Sequence, residues 1–413
     1  MNEPAALADV QPYQSSPCAT LVLNLGRALL RVGAPAHRLE AAMQIMAERL
    51  GLTAEFFSTP TALIASLGDG DRQQTYLARV EPGGADLGKL AELTEVMEAL
   101  AAGALDPVEA DRRVRAIDAR PPQHRGTLLV LAFMFVSAGA ATLIGGGWRE
   151  ALLAAPLGAI TGLSVRLLER RGELSRLLNP LSATLVTLAG TLWCSFDPNT
   201  ALMPAVIAGM IALVPGMDLT AATRELATGH QVSGAARLAS AIAVFALLTA
   251  GLALGGWIAH QLIGPEPLAQ PSPLPAWLTP VGLAVAALGF VVLFQAYWRD
   301  WSWVTLGCLL AWTSSTFGGL LGSPVLAAFV GALAVGLAGN LFARWSRRPA
   351  SIVQLPGLIL LVPGSIGMKS LSALLGQDVL AGLETGFFAL LVAVALATGL
   401  ILASALVPPR MSL

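Results

Sequence analysis

Charge is scarce in this chain. Lys, Arg, Asp and Glu make up 12% of its 413 residues, where a soluble protein carries about 25%. Cysteine is scarcer still: Cys18, Cys194 and Cys308 are far apart and odd in number, which argues against a disulfide framework or a zinc site. Four histidines are scattered, with no His-Glu-x-x-His helix of a metallopeptidase. No Gly-x-x-x-x-Gly-Lys-[Ser/Thr] loop occurs, so an ATP-driven pump would lack its phosphate cradle. The first twenty residues have neither a basic start nor a continuous apolar run, and no cleavable signal peptide is expected. A net charge of -1 gives no reason to expect nucleic acid. Neither a metal nor an organic cofactor is expected.

What is abundant is apolar: 55% of residues, with mean hydropathy +0.68. The charge that remains is uneven. Residues 1–125 hold 12 basic and 16 acidic side chains, and residues 126–413 only 13 and 10. A polar N-terminal domain therefore precedes a membrane domain. Residues 1–15 read as a disordered tail and 16–120 as a small α+β cytoplasmic domain. Leu21, Leu25, Ala28, Leu29 and Val32 fall on one helical face, and Leu39, Met43, Met46 and Leu50 on another. Residues 53–58, 61–67 and 74–80 read as strands, with Gly68-Asp69-Gly70-Asp71 as a hairpin turn. Helices follow near 86–102 and 106–118, the second opened by Asp106-Pro107.

Ten hydrophobic segments follow, near 126–146, 149–168, 180–196, 199–216, 233–262, 276–297, 301–319, 323–342, 350–364 and 378–406. Crossing the hydrocarbon core takes about 20 helical residues. With the amino terminus inside, Arg166, Arg170, Arg171, Arg176, Arg224, Arg237, Arg299, Arg344, Arg347, Arg348 and Arg410 fall on the inner side. Only Arg149 and Lys369 fall outside. That asymmetry predicts ten transmembrane helices with both termini cytoplasmic.

One pattern occurs twice, 148 positions apart. Ile207-Ala208-Gly209-Met210-Ile211-Ala212-Leu213-Val214-Pro215-Gly216 is matched by Leu355-Pro356-Gly357-Leu358-Ile359-Leu360-Leu361-Val362-Pro363-Gly364. Each copy closes the fourth span of a five-span half, so the halves, 121–262 and 276–406, are predicted to be two five-helix inverted repeats. Paired Gly/Pro interruptions at matched positions point to a transporter's binding site, because lipid cannot satisfy the backbone groups they free.

These residues resemble the threonine/serine exporter family of bacterial secondary transporters. The run Leu25-Gly26-Arg27-Ala28-Leu29-Leu30-Arg31-Val32-Gly33-Ala34-Pro35, then Arg38-Leu39-Glu40 and Leu50-Gly51-Leu52, resembles the start of that family's soluble domain. Ser58-Thr59-Pro60-Thr61 and the doubled Leu-Val-Pro-Gly resemble its later motifs. The match runs from about residue 20 to 405. The resemblance implies a non-enzymatic, secondary active exporter of small hydroxylated amino acids in the bacterial inner membrane. It would be driven by protons or the membrane potential. A dicarboxylate exporter or channel is the alternative within transport, and a membrane-embedded hydrolase the alternative outside it. A homo-oligomer is compatible with such a chain.

Pro215, Gly216, Pro363 and Gly364 are expected to shape the substrate site, with Thr220 and Ser365 adding hydroxyls. Helix N-termini after each break suit an α-carboxylate, and carbonyls freed near Ile211 and Ile359 suit an ammonium group or a cation. The plainer reading is that both Pro-Gly pairs end spans at the membrane surface. Asp218 and Glu384 are the carboxylates best placed for proton coupling; the plainer readings are an N-cap and an interfacial residue. Asn340 ends the small-residue row Ala328, Ala332, Gly336, where packing competes with substrate contact. Gln295 and Gln354 are further polar residues near spans, and Thr313-Ser314-Ser315-Thr316 is a hydroxyl cluster that can bond its own helix. Ser58, Thr59, Thr61, His37 and Asp69 form no triad by spacing.

Overall fold

The computed structural model describes residues 16–409 except 70–71, 82, 169–170, 266–268, 321, 362 and 377. The proposed tail 1–15, the tip of the 68–71 turn and Arg410 lie outside the described residues.

The N-terminal unit opens with α1 (Pro17–Arg31), whose first turn is capped by the Ser16 hydroxyl. Gly33, at φ +81°, turns the chain into α2 (Ala36–Arg49). Strands β1 (Thr53–Thr59), β2 (Ala62–Asp69) and β3 (Arg72–Arg79) form an antiparallel sheet in chain order. The third strand starts two residues earlier than its sequence pattern suggests, because Asp69 pairs with Arg72 across the turn. Helices α3 (Leu87–Ala101) and α4 (Pro107–Ala119) start on Asp86 and Asp106, whose carboxylates accept first-turn N–H groups. Leu25, Leu29, Leu39, Met43, Leu63 and Leu93 meet in the core, each no more than 1% exposed.

Twelve further helices carry the apolar half. They are α5 (Thr127–Leu143), α6 (Trp148–Leu168), α7 (Leu178–Phe196), α8 (Leu202–Gly209), α9 (Gly216–Ala227), α10 (Gln231–Leu262), α11 (Thr279–Leu293), α12 (Trp301–Gly319), α13 (Pro324–Ser346), α14 (Ser351–Leu361), α15 (Gly364–Leu375) and α16 (Val379–Leu406). By length and composition, six stretches are long and apolar enough to cross a membrane, and seven if the bent α8–α9 pair counts as one. The apolar helices α5 and α11, at 17 and 15 residues, are shorter than the about 20 residues of a typical crossing. Hydropathy marks where an apolar stretch lies; the chain's turns decide how much of it is helix.

Glycines let these helices touch backbone to backbone. Gly251 on α10 lies against the Pro180 carbonyl of α7, and Gly399 on α16 against the Phe329 carbonyl of α13. Gly209 on α8 packs on Leu157 of α6, and Gly357 on α14 packs on the Gly307 carbonyl of α12. Residues 148 apart thus fill matched contacts in the two halves.

Gly307 in turn faces the Val353 carbonyl so closely that an added Cβ would overlap it. Neither backbone can move without shifting a helix, so Gly307→Ala should destabilise the protein by about 1–3 kcal/mol. Thermal unfolding of the purified full chain would show this as a lowered midpoint; a wild-type midpoint would contradict the packing.

Candidate functional site

The first interruption follows Gly209. Residues Ile211–Leu213 make one tight turn, Val214 is extended (φ -70°, ψ 123°), and α9 restarts at Gly216. The two arms meet at 52°. The break's carbonyls are not left bare. The Gly209 carbonyl accepts the Thr161 hydroxyl at 2.9 Å and the Ser137 hydroxyl at 3.4 Å, from α6 and α5. The Ile211 carbonyl, expected to be free for a cation, accepts the Val214 N–H at 3.2 Å. The reason is local: a tight turn closes its own short hydrogen bonds.

The second interruption separates α14 from α15, which remain near enough in line to count as one span. Val362 lies outside the described residues. Pro363 is buried and its carbonyl accepts the Gly367 N–H at 2.8 Å. The two breaks touch: a Cβ on Gly364 would sit 2.7 Å from Val214 Cγ1 and 3.5 Å from Gly216 Cα.

Two cavities flank this contact. The smaller, about 90 Å³, is bounded by Ile211, Ile359, Leu360 and Ser365. The larger, about 520 Å³, is bounded by Val214, Pro215, Asp218 and Thr220 on one side and Gln354 and Leu358 on the other. Ala212 and Ile359 border both. Of the expected residues, Pro215, Asp218 and Thr220 therefore line the large cavity and Ser365 the small one. Gly216 and Gly364 line neither cavity and sit where the two breaks touch. Thr220 is buried and its hydroxyl donates to the Gly216 carbonyl at 3.2 Å. Asn340 lines neither cavity: its amide donates to the Val407 carbonyl at 2.8 Å and accepts from Gln354 Nε2 at 3.0 Å, joining α13 to the end of α16 and to α14. Glu384 is exposed on α16, outside both cavities.

A further part of the large cavity's wall comes from the N-terminal unit, through the Val32–Arg38 corner and Gly83, Gly84, Ala85 and Leu87. Glu225 of α9 holds that corner in place. It is fully buried. Its carboxylate accepts the Ala36 N–H at 3.0 Å, the Ser233 hydroxyl at 2.8 Å and Arg237 Nε at 3.1 Å. Arg237 also reaches Asp218 at 3.5 Å. Arg38 Nη2 donates to Gln354 Oε1 at 2.9 Å. Glu40 accepts the Ser58 N–H and hydroxyl, both at 2.7 Å, and lies 3.3 Å from His230. Ser58 is thus committed to a structural bond. A second seam runs along the end of α11, where the Leu87 N–H donates to the Phe294 carbonyl at 2.9 Å and Gln295 Oε1 accepts the His124 N–H at 2.7 Å.

Sequence reasoning missed Glu225, Arg38 and Arg224. A Glu or Arg at the end of an apolar run is ordinarily solvated, and no local pattern marks these three as buried. The available signal was the adjacency of opposite charges at Arg224-Glu225, about two helical turns after an interruption.

Broken, abutting apolar helices beside a largely apolar cavity with arginines in its wall are the arrangement of a membrane transport protein. The chain belongs to the threonine/serine exporter family: the pattern described as "Putative threonine/serine exporter" matches residues 20–258, and "Threonine/Serine exporter, ThrE" matches 280–406. It is similar to the threonine/serine exporter of Corynebacterium glutamicum, 27% identical over 76% of this chain and 66% of that protein. It is also similar to the probable threonine/serine exporter of Mycobacterium tuberculosis, 26% identical over 94% of this chain and 76% of that protein. Pheromone-regulated membrane protein 10 of Eremothecium gossypii is 25% identical over 84% of this chain. The chain spans about half the length of that relative, 48%. No solved structure matches it.

His37 borders the large cavity, and neither ring nitrogen has a hydrogen-bond partner among the described residues. Burial first, then the charges of Arg224, Arg38, His230 and Arg237, push its imidazole down to about 2. An unfolded histidine titrates near 6.5. Below that pH the unfolded chain binds a proton that the folded one refuses. This part of the stability is therefore intact above pH 6.5 and is lost as pH falls toward 2. Between pH 7 and 5 the loss is about 2 kcal/mol. Unfolding of the full chain at those two pH values should show His37→Asn losing about that much less than wild type. Equal losses would contradict a buried neutral imidazole.

Proposed function

We propose that this chain is a secondary active exporter of threonine, serine and similar small hydroxylated amino acids, with the large cavity as its substrate chamber. The observation that carries the reading is the contact between the two breaks, which places irregular backbone inside protein and beside a cavity, the setting in which membranes tolerate it. In this reading the apolar half makes ten crossings as two inverted halves, α5–α10 and α11–α16. The matched glycine contacts 148 residues apart support the repeat. The arginine asymmetry supports a cytoplasmic N-terminal unit and an inner-membrane location. The named exporters of Corynebacterium and Mycobacterium support the substrate class.

The touching breaks, which border both cavities through Ala212 and Ile359, then work as a thin gate. Gly216 and Gly364 keep the two breaks close enough to slide past one another without side chains in the way. Asp218, half exposed on the chamber wall 3.5 Å from Arg237, is the group we assign to proton coupling, since a carboxylate paired with an arginine can exchange that partner for a proton. Glu384, exposed on α16, has no path to the chamber and is set aside for that role.

A side chain at position 364 would have to displace Val214. Gly364→Val should therefore lower threonine counterflow in proteoliposomes at least about tenfold while membrane insertion stays normal. Wild-type flux in that variant would refute the gate. Unlabelled succinate as competitor separates substrate classes: strong competition would favour a dicarboxylate exporter.

A further inference from the structure

The walls of the large cavity carry positive charge that they do not themselves balance. Arg38 of α2, Arg224 of α9 and Arg237 of α10 all border it. Arg237 is matched, with Nε 3.1 Å from both oxygens of Glu225 and Nη1 3.5 Å from Asp218. Arg38 and Arg224 are not. Among the described residues neither has a carboxylate within ion-pair distance. Arg38 is 6% exposed, gives Nη2 to the neutral Gln354, and leaves Nε without a partner. Arg224 gives Nη2 to the Ser404 hydroxyl at 3.3 Å and likewise leaves Nε without a partner. The two cations feel each other: burial first, and Arg224 second, push the Arg38 guanidinium down to about 9, still charged at neutral pH. The nearby histidine is neutral and brings no compensation.

A buried charge without a counter-charge is costly. Arg38, and Arg224 with only the more distant Glu225 to attract it, border one cavity with an unpartnered Nε each, and together make a site that an anion completes. The guanidinium fork matches a carboxylate in particular, because two parallel N–H donors meet its two oxygens. We propose that Arg38 and Arg224 form the carboxylate-recognition site of the chamber. The ligand's carboxylate lies against these two side chains, and Asp218, on the same wall, faces its ammonium group. Arg38 belongs to the N-terminal unit and Arg224 to the broken helix, so bound ligand bridges the two. The N-terminal unit is then part of the binding site rather than an attached module. This assignment rests on the exporter reading for its substrate, but the carboxylate site can be tested apart from it.

The test uses the full chain in proteoliposomes, loaded for counterflow of labelled L-threonine and, separately, labelled succinate. L-Threoninamide, which keeps the hydroxyl and ammonium groups but lacks the anionic carboxylate, serves as competitor. Wild-type protein should prefer threonine over the amide by at least about tenfold, the worth of a charge-assisted hydrogen bond. Arg38→Gln and Arg224→Gln should each weaken threonine by about that factor and erase the preference. Arg38→Lys, which keeps the charge without the fork, should fall between. Should Arg38→Gln fail to fold, Arg224→Gln on a separate element still decides the matter. Equal competition by threonine and threoninamide in wild type, or an unchanged preference in Arg224→Gln, overturns the proposal. If succinate moves and threonine does not, and both glutamine variants abolish that movement, the carboxylate site stands and the amino-acid reading falls. If threonine moves with wild-type affinity in both variants, the reverse holds. A wild-type protein that carries neither overturns both.

Discussion

The contact between two interrupted helices is what the rest of this molecule is arranged around. An interrupted helix in an apolar setting frees main-chain groups that only protein can satisfy. Here the protein supplies them locally. At the first break Thr161 and Ser137 give their hydroxyls to the Gly209 carbonyl. The two breaks lie against each other, with Gly364 facing Val214 and Gly216.

A single buried carboxylate ties this centre to the N-terminal unit. Glu225 has no water to stabilise it, so it must be matched by the groups around it. Two elements supply them: the first turn of α2 through Ala36, and α10 through Ser233 and Arg237. Its own helix, α9, begins at the first break. Any shift of that break moves the carboxylate relative to Ala36, so rearrangement of the helices and displacement of the N-terminal corner are mechanically one event. The buried polar line Arg38–Gln354–Asn340 extends the same coupling to the second half.

Much of this was legible in the sequence, and the reasons are physical. Pro-Gly inside an apolar run has few interpretations, and its recurrence in register removes most of them. Strand alternation and Asp caps placed the N-terminal elements to within a few residues. The points it left open or missed share one cause. Whether Glu225 is solvated or buried, whether Asn340 faces substrate or a neighbouring carbonyl, and whether Glu384 points at a cavity or outward are all set by long-range packing. A local pattern holds no information on it. The hydroxyls at Ser137 and Thr161 were likewise silent, because their acceptor lies 72 and 48 residues away in sequence. Helix length was read too generously for the same reason: apolar residues continue through the turns that end α5 and α11.

The most direct test of the central claim is proximity of the two breaks in the intact protein. Ala212 and Ile359 border both cavities, one from each break. Cysteines introduced there by Ala212→Cys and Ile359→Cys, with Cys18, Cys194 and Cys308 replaced, should be joined within one chain by a short thiol-reactive cross-linker in native membranes. Efficient labelling of each cysteine alone, with no intramolecular cross-link when both are present, would contradict the contact on which this architecture depends.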